Sequence, residues 1–323
     1  MMQKNIIINI CLCLIRRKPL NLPSKTYHAM HLTVPTALLV STMIMLAHSG
    51  SLAWKDAPKA EIKISYNYRH LFFRGSDGVV EINNRYILLA NQKESKFYSP
   101  QTEYLDSLDS TPEGRAVSRQ LMDIGVKRYL ETGDRSTVPH NDGDIYVFKS
   151  IPEMETAVYD KAGMIEFGHY TEPFAEMEWA IGDSTKNLLG YECIMATTDY
   201  HGRHWTVWFT PDIPIHDGPW KLCGLPGLIL EANETDGQHS FIADGIEKSD
   251  RLMQPVYGKH RYEKMNRIDM LKSLSAYYGN MDGAVRAALE NLPDGKRAAI
   301  SKAPAVQPEN TQNIDLIETD YRK

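Results

Sequence analysis

The residues best able to do chemistry lie between positions 172 and 239. Four histidines, His201, His204, His216 and His239, fall near Cys193 and Cys223 in sequence. A zinc site needs four such ligands converging at about 2.0–2.3 Å, and structural sites announce themselves by paired ligand spacing that this stretch lacks. The carboxylates Glu172, Glu176, Glu178 and Asp199 could be drawn as a general acid and base. Glu176 and Glu178, however, alternate with Met177 and Trp179, the pattern of a solvated strand face. No G-x-S-x-G, C-x-x-C, H-E-x-x-H or phosphate-loop pattern occurs. The sequence therefore assigns no catalytic residue, no metal ligand and no cofactor.

Aromatic residues offer a second kind of chemistry. Over 204–210, Trp205, Val207 and Phe209 point to one side of a strand and Thr206, Trp208 and Thr210 to the other. With Trp220 nearby, Trp205 and Trp208 outline an aromatic ligand groove; the alternative is a strand with core on one side and a covering loop on the other. The elements that would hold these residues are short strands with alternating patterns at 61–68, 85–90, 96–99, 144–149, 156–159, 164–167, 175–181, 191–196, 204–210, 228–231 and 240–243. Short connections favour antiparallel pairing. Thr111, Pro112 and Glu113 open a helix over 111–131, with Ala116, Leu121, Ile124, Val126 and Leu130 toward one side, and Gly133 ends it. Residues 261–278 and 282–292 read as two further helices. The expected architecture is one α+β domain over 58–300, a curved, mainly antiparallel sheet with an inserted helix and C-terminal helices, and a disordered tail over 301–323.

The first 53 residues contain five basic and no acidic residues, and an uncharged span runs from Ala29 to Trp54. A basic region, an apolar region and the small residues Ser51 to Ala53 predict a secretory signal cleaved after Ala53. An uncleaved membrane anchor and a buried helix are the alternatives, and Met30 is an alternative start. Both export readings place the folded part in the periplasm or cell envelope. Beyond Ala53 there are 31 basic against 41 acidic residues, a net charge of −10, which argues against nucleic acid as a partner. Membrane contact would come only through the N-terminal segment. Outside the cytoplasm, Cys193 and Cys223 would most simply form one disulfide; two buried free thiols are the alternative.

The densest turn chemistry lies in AspGlyProTrpLysLeuCysGlyLeuProGlyLeuIleLeuGlu, whose centre is Gly224, Leu225, Pro226, Gly227, Leu228 and Ile229. This resembles the GLPGLI family, exported proteins of Gram-negative bacteria named for that hexapeptide. SerLysPheTyrSer at 95–99 and the GlyTyr and Cys of 190–193 are similar to it as well. The resemblance implies export and no established activity. Pro226 and Gly227 predict a type II turn, with 211–227 as one long ordered loop over the sheet. That loop is either an architectural plug or a ligand-contact loop. The functional expectation is a non-enzymatic envelope protein that binds or supports a peptide, lipid or protein partner; the alternative is a secreted hydrolase with an unfamiliar site.

Overall fold

The computed structural model describes residues 57–74, 79–163, 166–174, 177–279, 312–313 and 316–322. The signal or anchor segment and the expected helix over 282–292 lie outside the described residues. Six strands come first: β1 (Ile62–Arg74), β2 (Val79–Ala90), β3 (Glu94–Tyr98), β4 (Tyr146–Ser150), β5 (Glu155–Lys161) and β6 (Phe167–Pro173). Then follow β7 (Ala180–Leu188), β8 (Tyr191–Tyr200), β9 (Arg203–Thr210), β10 (Leu228–Glu234), β11 (His239–Lys248), β12 (Tyr262–Lys264) and β13 (Gln312–Asn313). Among the described residues they form one sheet in the order β12-β6-β5-β4-β3-β2-β1-β11-β10-β9-β8-β7, with β13 added to β1.

This order corrects the expected α+β architecture. The chain builds a single large mixed sheet, antiparallel except where β12 runs parallel to β6. Among the described residues, three α-helices accompany it. Helices α1 (Pro100–Asp109) and α2 (Pro112–Thr132) are inserted between β3 and β4, and α3 (Arg267–Gly279) follows β12. The apolar side predicted for α2 is not a core face: Ile124 and Leu130 are exposed, and Gly125 is the helix's buried residue. Local chemistry still sets its ends. Thr111 caps it by accepting the Gly114 N–H at 3.0 Å, and Gly133, at φ 72°, ends it with an N–H to the Tyr129 carbonyl. No described helix is long and apolar enough to cross a membrane.

Two antiparallel meanders, β1–β6 and β7–β11, meet where β1 pairs with β11. Short connections explain most pairs within each meander, the exceptions being β3–β4, which spans α1 and α2, and β9–β10, which spans the 211–227 loop. The joint between the meanders is a long-range pairing that no local pattern announces. Alternation places Ile64 and Tyr66 of β1, Tyr86 and Leu88 of β2, Phe97 of β3 and Val147 of β4 in one core. Trp205, Val207 and Phe209 join it, as strand periodicity predicts. The opposite side of the β2–β6 half holds a smaller core containing Ile87, Leu89, Tyr98, Tyr146 and Tyr159, closed by Met253 and Val256.

The loop over 211–227 covers the main core with Ile213, Ile215, Trp220, Leu222 and Leu225. Each large apolar side chain buried this way contributes about 1.5–3 kcal/mol. The expected type II turn does not form. The Gly227 N–H reaches the Leu225 carbonyl at 2.8 Å, a three-residue turn around Pro226, and the Leu228 N–H goes to Ile213 O at 3.1 Å. Gly227 is required by close approach, because a Cβ there would collide with the Thr210 carbonyl.

One inward side chain of β4 holds this loop down. Lys149 Nζ donates to the carbonyls of Gly218 and Trp220 at 2.9 Å and pairs with Asp217, while Asp217 also accepts the Gly218 N–H at 2.6 Å. An ammonium has three protons, and here the loop's main chain and one carboxylate use them. Replacing Lys149 with Met removes one partner of a buried pair and leaves the rest unsatisfied. Urea unfolding of Lys149→Met is expected to show a loss of about 3–5 kcal/mol, well beyond that of a surface lysine such as Lys127→Met.

Candidate functional site

The predicted aromatic groove is not a groove. Trp205 and Trp220 are fully buried with ring centroids 5.8 Å apart, and Tyr200 packs edge-on to Trp220 at 5.6 Å. Trp208 lies on the other side of β9, where Lys186 Nζ sits 4.4 Å over its ring and also bonds Glu231 at 2.7 Å. In the hexapeptide, Leu225, Gly227, Leu228 and Ile229 are buried while Gly224 and Pro226 are exposed. Tyr66 OH, from β1, donates to the Ile229 carbonyl at 2.6 Å.

The disulfide expectation is corrected: Cys193 and Cys223 are both free and buried. Burial pushes both thiols up, Cys223 to about 12, so neither presents a thiolate near neutral pH. The histidines also disperse. His204 pairs with Asp199 at 2.7 Å on the surface, and His239 Nδ1 meets Tyr68 OH at 2.7 Å. His216 is exposed in the loop. Of the candidate carboxylates, Glu178 is exposed and Glu176 lies outside the described residues.

His201 and Glu172 do come together, with partners that sequence reasoning missed. Lys221 Nζ, fully buried, lies 2.7 Å from Glu172 Oε1, 2.7 Å from Glu318 Oε1 and 2.8 Å from Tyr170 OH. Arg267 from α3 pairs with Glu318 and reaches Asp320 at 2.6 Å. His201 lies 3.3 Å from Asp320, 3.7 Å from Glu172 and 3.8 Å from Glu318. Three carboxylates thus face one ammonium, one guanidinium and one imidazole. Burial alone would raise the Glu172 carboxyl, but His201 and Lys221 outweigh it and hold it at about 2. Asp320 is likewise held at about 2, against burial, by Arg267 and His201.

Glu318 and Asp320 belong to residues 316–322, within the stretch read as a disordered tail. That expectation is corrected for these residues. Leu316 and Tyr321 are buried against Leu271 and Leu274 of α3. Arg203 reads the backbone, Nε to Ile317 O at 3.0 Å and Nη2 to Leu316 O at 2.6 Å. At the β8–β9 turn, Thr319 N–H donates to His201 O at 2.9 Å and its hydroxyl to Gly202 O at 3.0 Å.

His201, Glu318 and Asp320 bring potential metal-ligand atoms within 4.8 Å of one another. Both carboxylates are already paired with Lys221 or Arg267. A different group stands out electrostatically. Burial, helped by Asp144, pushes the Asp160 carboxyl up to about 8.

An open concavity lies elsewhere. A half-open cavity of ≈470 Å³ lies beside the smaller core, walled by Pro58, Phe148, Ala157, Tyr159, Met253 and Val256. Glu94, Glu153 and Lys259 stand among its lining residues. Periodicity signals the inward positions of β4 and β5, but the wall contributed by 253–259 comes from a segment without strand or helix pattern.

The acid side of the ion cluster is testable. Folded-state values near 2 lie below the ordinary carboxylate range, so the stabilisation from Glu172 and Asp320 is complete above about pH 5 and is lost as pH falls toward 2. Hydrogen exchange followed from pH 5 to pH 2, corrected for intrinsic rates, is expected to show residues 316–322 losing protection before β8 and β9.

Comparison with known proteins gives a family described as "Protein of unknown function (Porph_ging)", matched over residues 201–231, the stretch from the β8–β9 turn through the hexapeptide. No curated protein matches the sequence. Among solved structures, PNGF-II in the C2 space group aligns with TM-score 0.43 and 15% identity over 67% of this chain and 33% of that chain. PNGF-II in the P21 space group aligns at 0.41 and 14%, over 66% and 33%. The chain therefore spans about a third of the length of PNGF-II. A domain described as an outer membrane lipoprotein-sorting protein, from Vibrio parahaemolyticus, aligns at 0.24 and 6%, over 69% and 96%.

Proposed function

We propose that this chain is an exported cell-envelope binding protein of the GLPGLI type, without catalytic activity, that takes an apolar ligand group into the cavity beside Phe148 and Tyr159. The observation that carries this reading is the cavity itself. Its ≈470 Å³ falls within the 300–1,000 Å³ typical of ligand pockets, and its walls combine apolar residues and the rings of Phe148 and Tyr159 with polar ones that include Glu94, Glu153 and Lys259. The titratable groups around Lys221 are, by contrast, paired with one another.

Export is supported by the basic, apolar and small-residue order of the first 53 residues. The family reading rests on the hexapeptide itself, whose Leu225, Leu228 and Ile229 are buried, an architectural part; the match over 201–231 is to a family of unknown function that covers the same stretch. The hexapeptide's role is to close the main core. The occupant best suited to the cavity is a lipid acyl chain: the walls offer apolar contact along their length, and Lys259 can meet a carboxylate or phosphate. The hydrolase alternative would rest on Asp160, which does not line this cavity.

A test is titration of the purified chain with a fluorescent C12 fatty acid. The wild-type chain is expected to bind, and Ala157→Trp, which fills the cavity, to bind at least about tenfold more weakly with unchanged circular dichroism. Equal binding by both chains, or none by either, would sink the proposal.

A further inference from the structure

We propose that Lys221, Arg267, Arg203 and His201 form a docking cradle for an acidic extended peptide of a partner protein, and that residues 316–322 occupy it in cis. Ordinary packing of a chain end would need only apolar contact, which Leu316 and Tyr321 already provide. The cradle adds recognition of a different kind. Arg203 takes two consecutive backbone carbonyls, those of Leu316 and Ile317, and is itself held by Glu234 at 3.2 Å, both side chains buried. Lys221 and Arg267 take the carboxylate at Glu318, and Arg267 with His201 takes the one at Asp320. Main chain and side chains are read together, and the carboxylates stand two residues apart. This is how acidic linear segments are recognised by clustered cations, with arginine forks supplying direction.

The β8–β9 turn meets the segment at close range. His201 holds a left-handed backbone at φ 50° and Gly202 one at φ 82°. These are the two central residues of the β8–β9 hairpin, where a two-residue turn requires positive φ, and their carbonyls accept from Thr319. A Cβ on Gly202 would collide with Thr319 Oγ1 and lie 2.8 Å from the Asp320 nitrogen. The absence of a side chain at 202 thus makes room for a chain running across the turn. Arg203 on β9 and Lys221 in the covering loop also hold partners outside 316–322, Glu234 for the first and Glu172 and Tyr170 for the second, while Arg267 sits on α3, which packs against the segment through Leu271 and Leu274.

The test uses the full chain carrying Glu318→Gln and Asp320→Asn, which loosens the resident segment and leaves the cradle intact. The probe is a fluorescein-labelled synthetic peptide of residues 312–323, followed by anisotropy. The double variant is expected to bind it at least tenfold more tightly than the wild-type chain does, and to ignore a peptide with both carboxylates replaced by amides. Equal binding of the two peptides, or no binding by a variant with native circular dichroism, overturns the proposal. A concentration-dependent dimer that the peptide dissolves would assign the cradle to a second copy of this chain and also overturn it.

Should the double variant fail to fold, Gly202→Ala in the full chain decides by hydrogen exchange. Exchange in 316–322 rising at least tenfold while β8 and β9 keep their protection supports a separable occupant. Joint loss of protection in all three makes the segment part of the core and refutes the proposal.

Discussion

The ammonium of Lys149 is the interaction on which the main core depends. A lysine placed inward on a strand is costly unless its protons are used, and the 211–227 loop supplies the carbonyls and the carboxylate that use them. Once the loop is fixed, Trp220 is driven against Trp205 and Tyr200, and Leu222 and Leu225 seal the surface of the sheet. Trp220 pays for this placement with a left-handed backbone at φ 54°. The hexapeptide then leads directly into β10, where Ile229 is bonded from both sides, by Tyr66 OH and, through its own N–H, by Asp217 O.

Lys221 extends the same principle one residue beyond Trp220. Lys149 anchors the loop to β4, and Lys221 anchors it to β6 through Glu172 and Tyr170 and to the C-terminal segment through Glu318. The β1–β6 half and the β7–β11 half of the sheet are therefore joined twice, by the β1–β11 ladder and by the ionised loop lying over it. Buried ion pairs add little net stability over apolar packing, but breaking one is expensive. That asymmetry makes this arrangement a device for specifying one placement of the loop.

Much of the local structure was legible in the sequence. Alternation located most strands and put Trp205, Val207 and Phe209 together on one side of β9, and Thr111 and Gly133 marked the ends of α2. What was not legible is long-range. The β1–β11 pairing and the parallel β12–β6 contact depend on chain crossings that carry no periodic signal. The ion cluster joins Glu172, His201, Lys221, Arg267, Glu318 and Asp320 across five elements. Lys149 did leave a trace: in TyrValPheLys it falls on the same side as Val147, a charged residue in an inward position. The misread groove has a physical cause as well, since aromatic residues on both sides of a strand fit a covered core as well as a cleft.

Cys223 lies in the clamped loop and reports on the central claim directly. Iodoacetamide labelling followed by intact mass, without reductant, separates the possibilities. A loop clamped over the core with free thiols predicts no adduct on the native wild-type chain, two adducts beyond Trp54 once it is unfolded in guanidinium, and native-state labelling of Cys223 in Lys149→Met. Rapid labelling of the native wild-type chain, or labelling of the unfolded chain only after reduction, would contradict it.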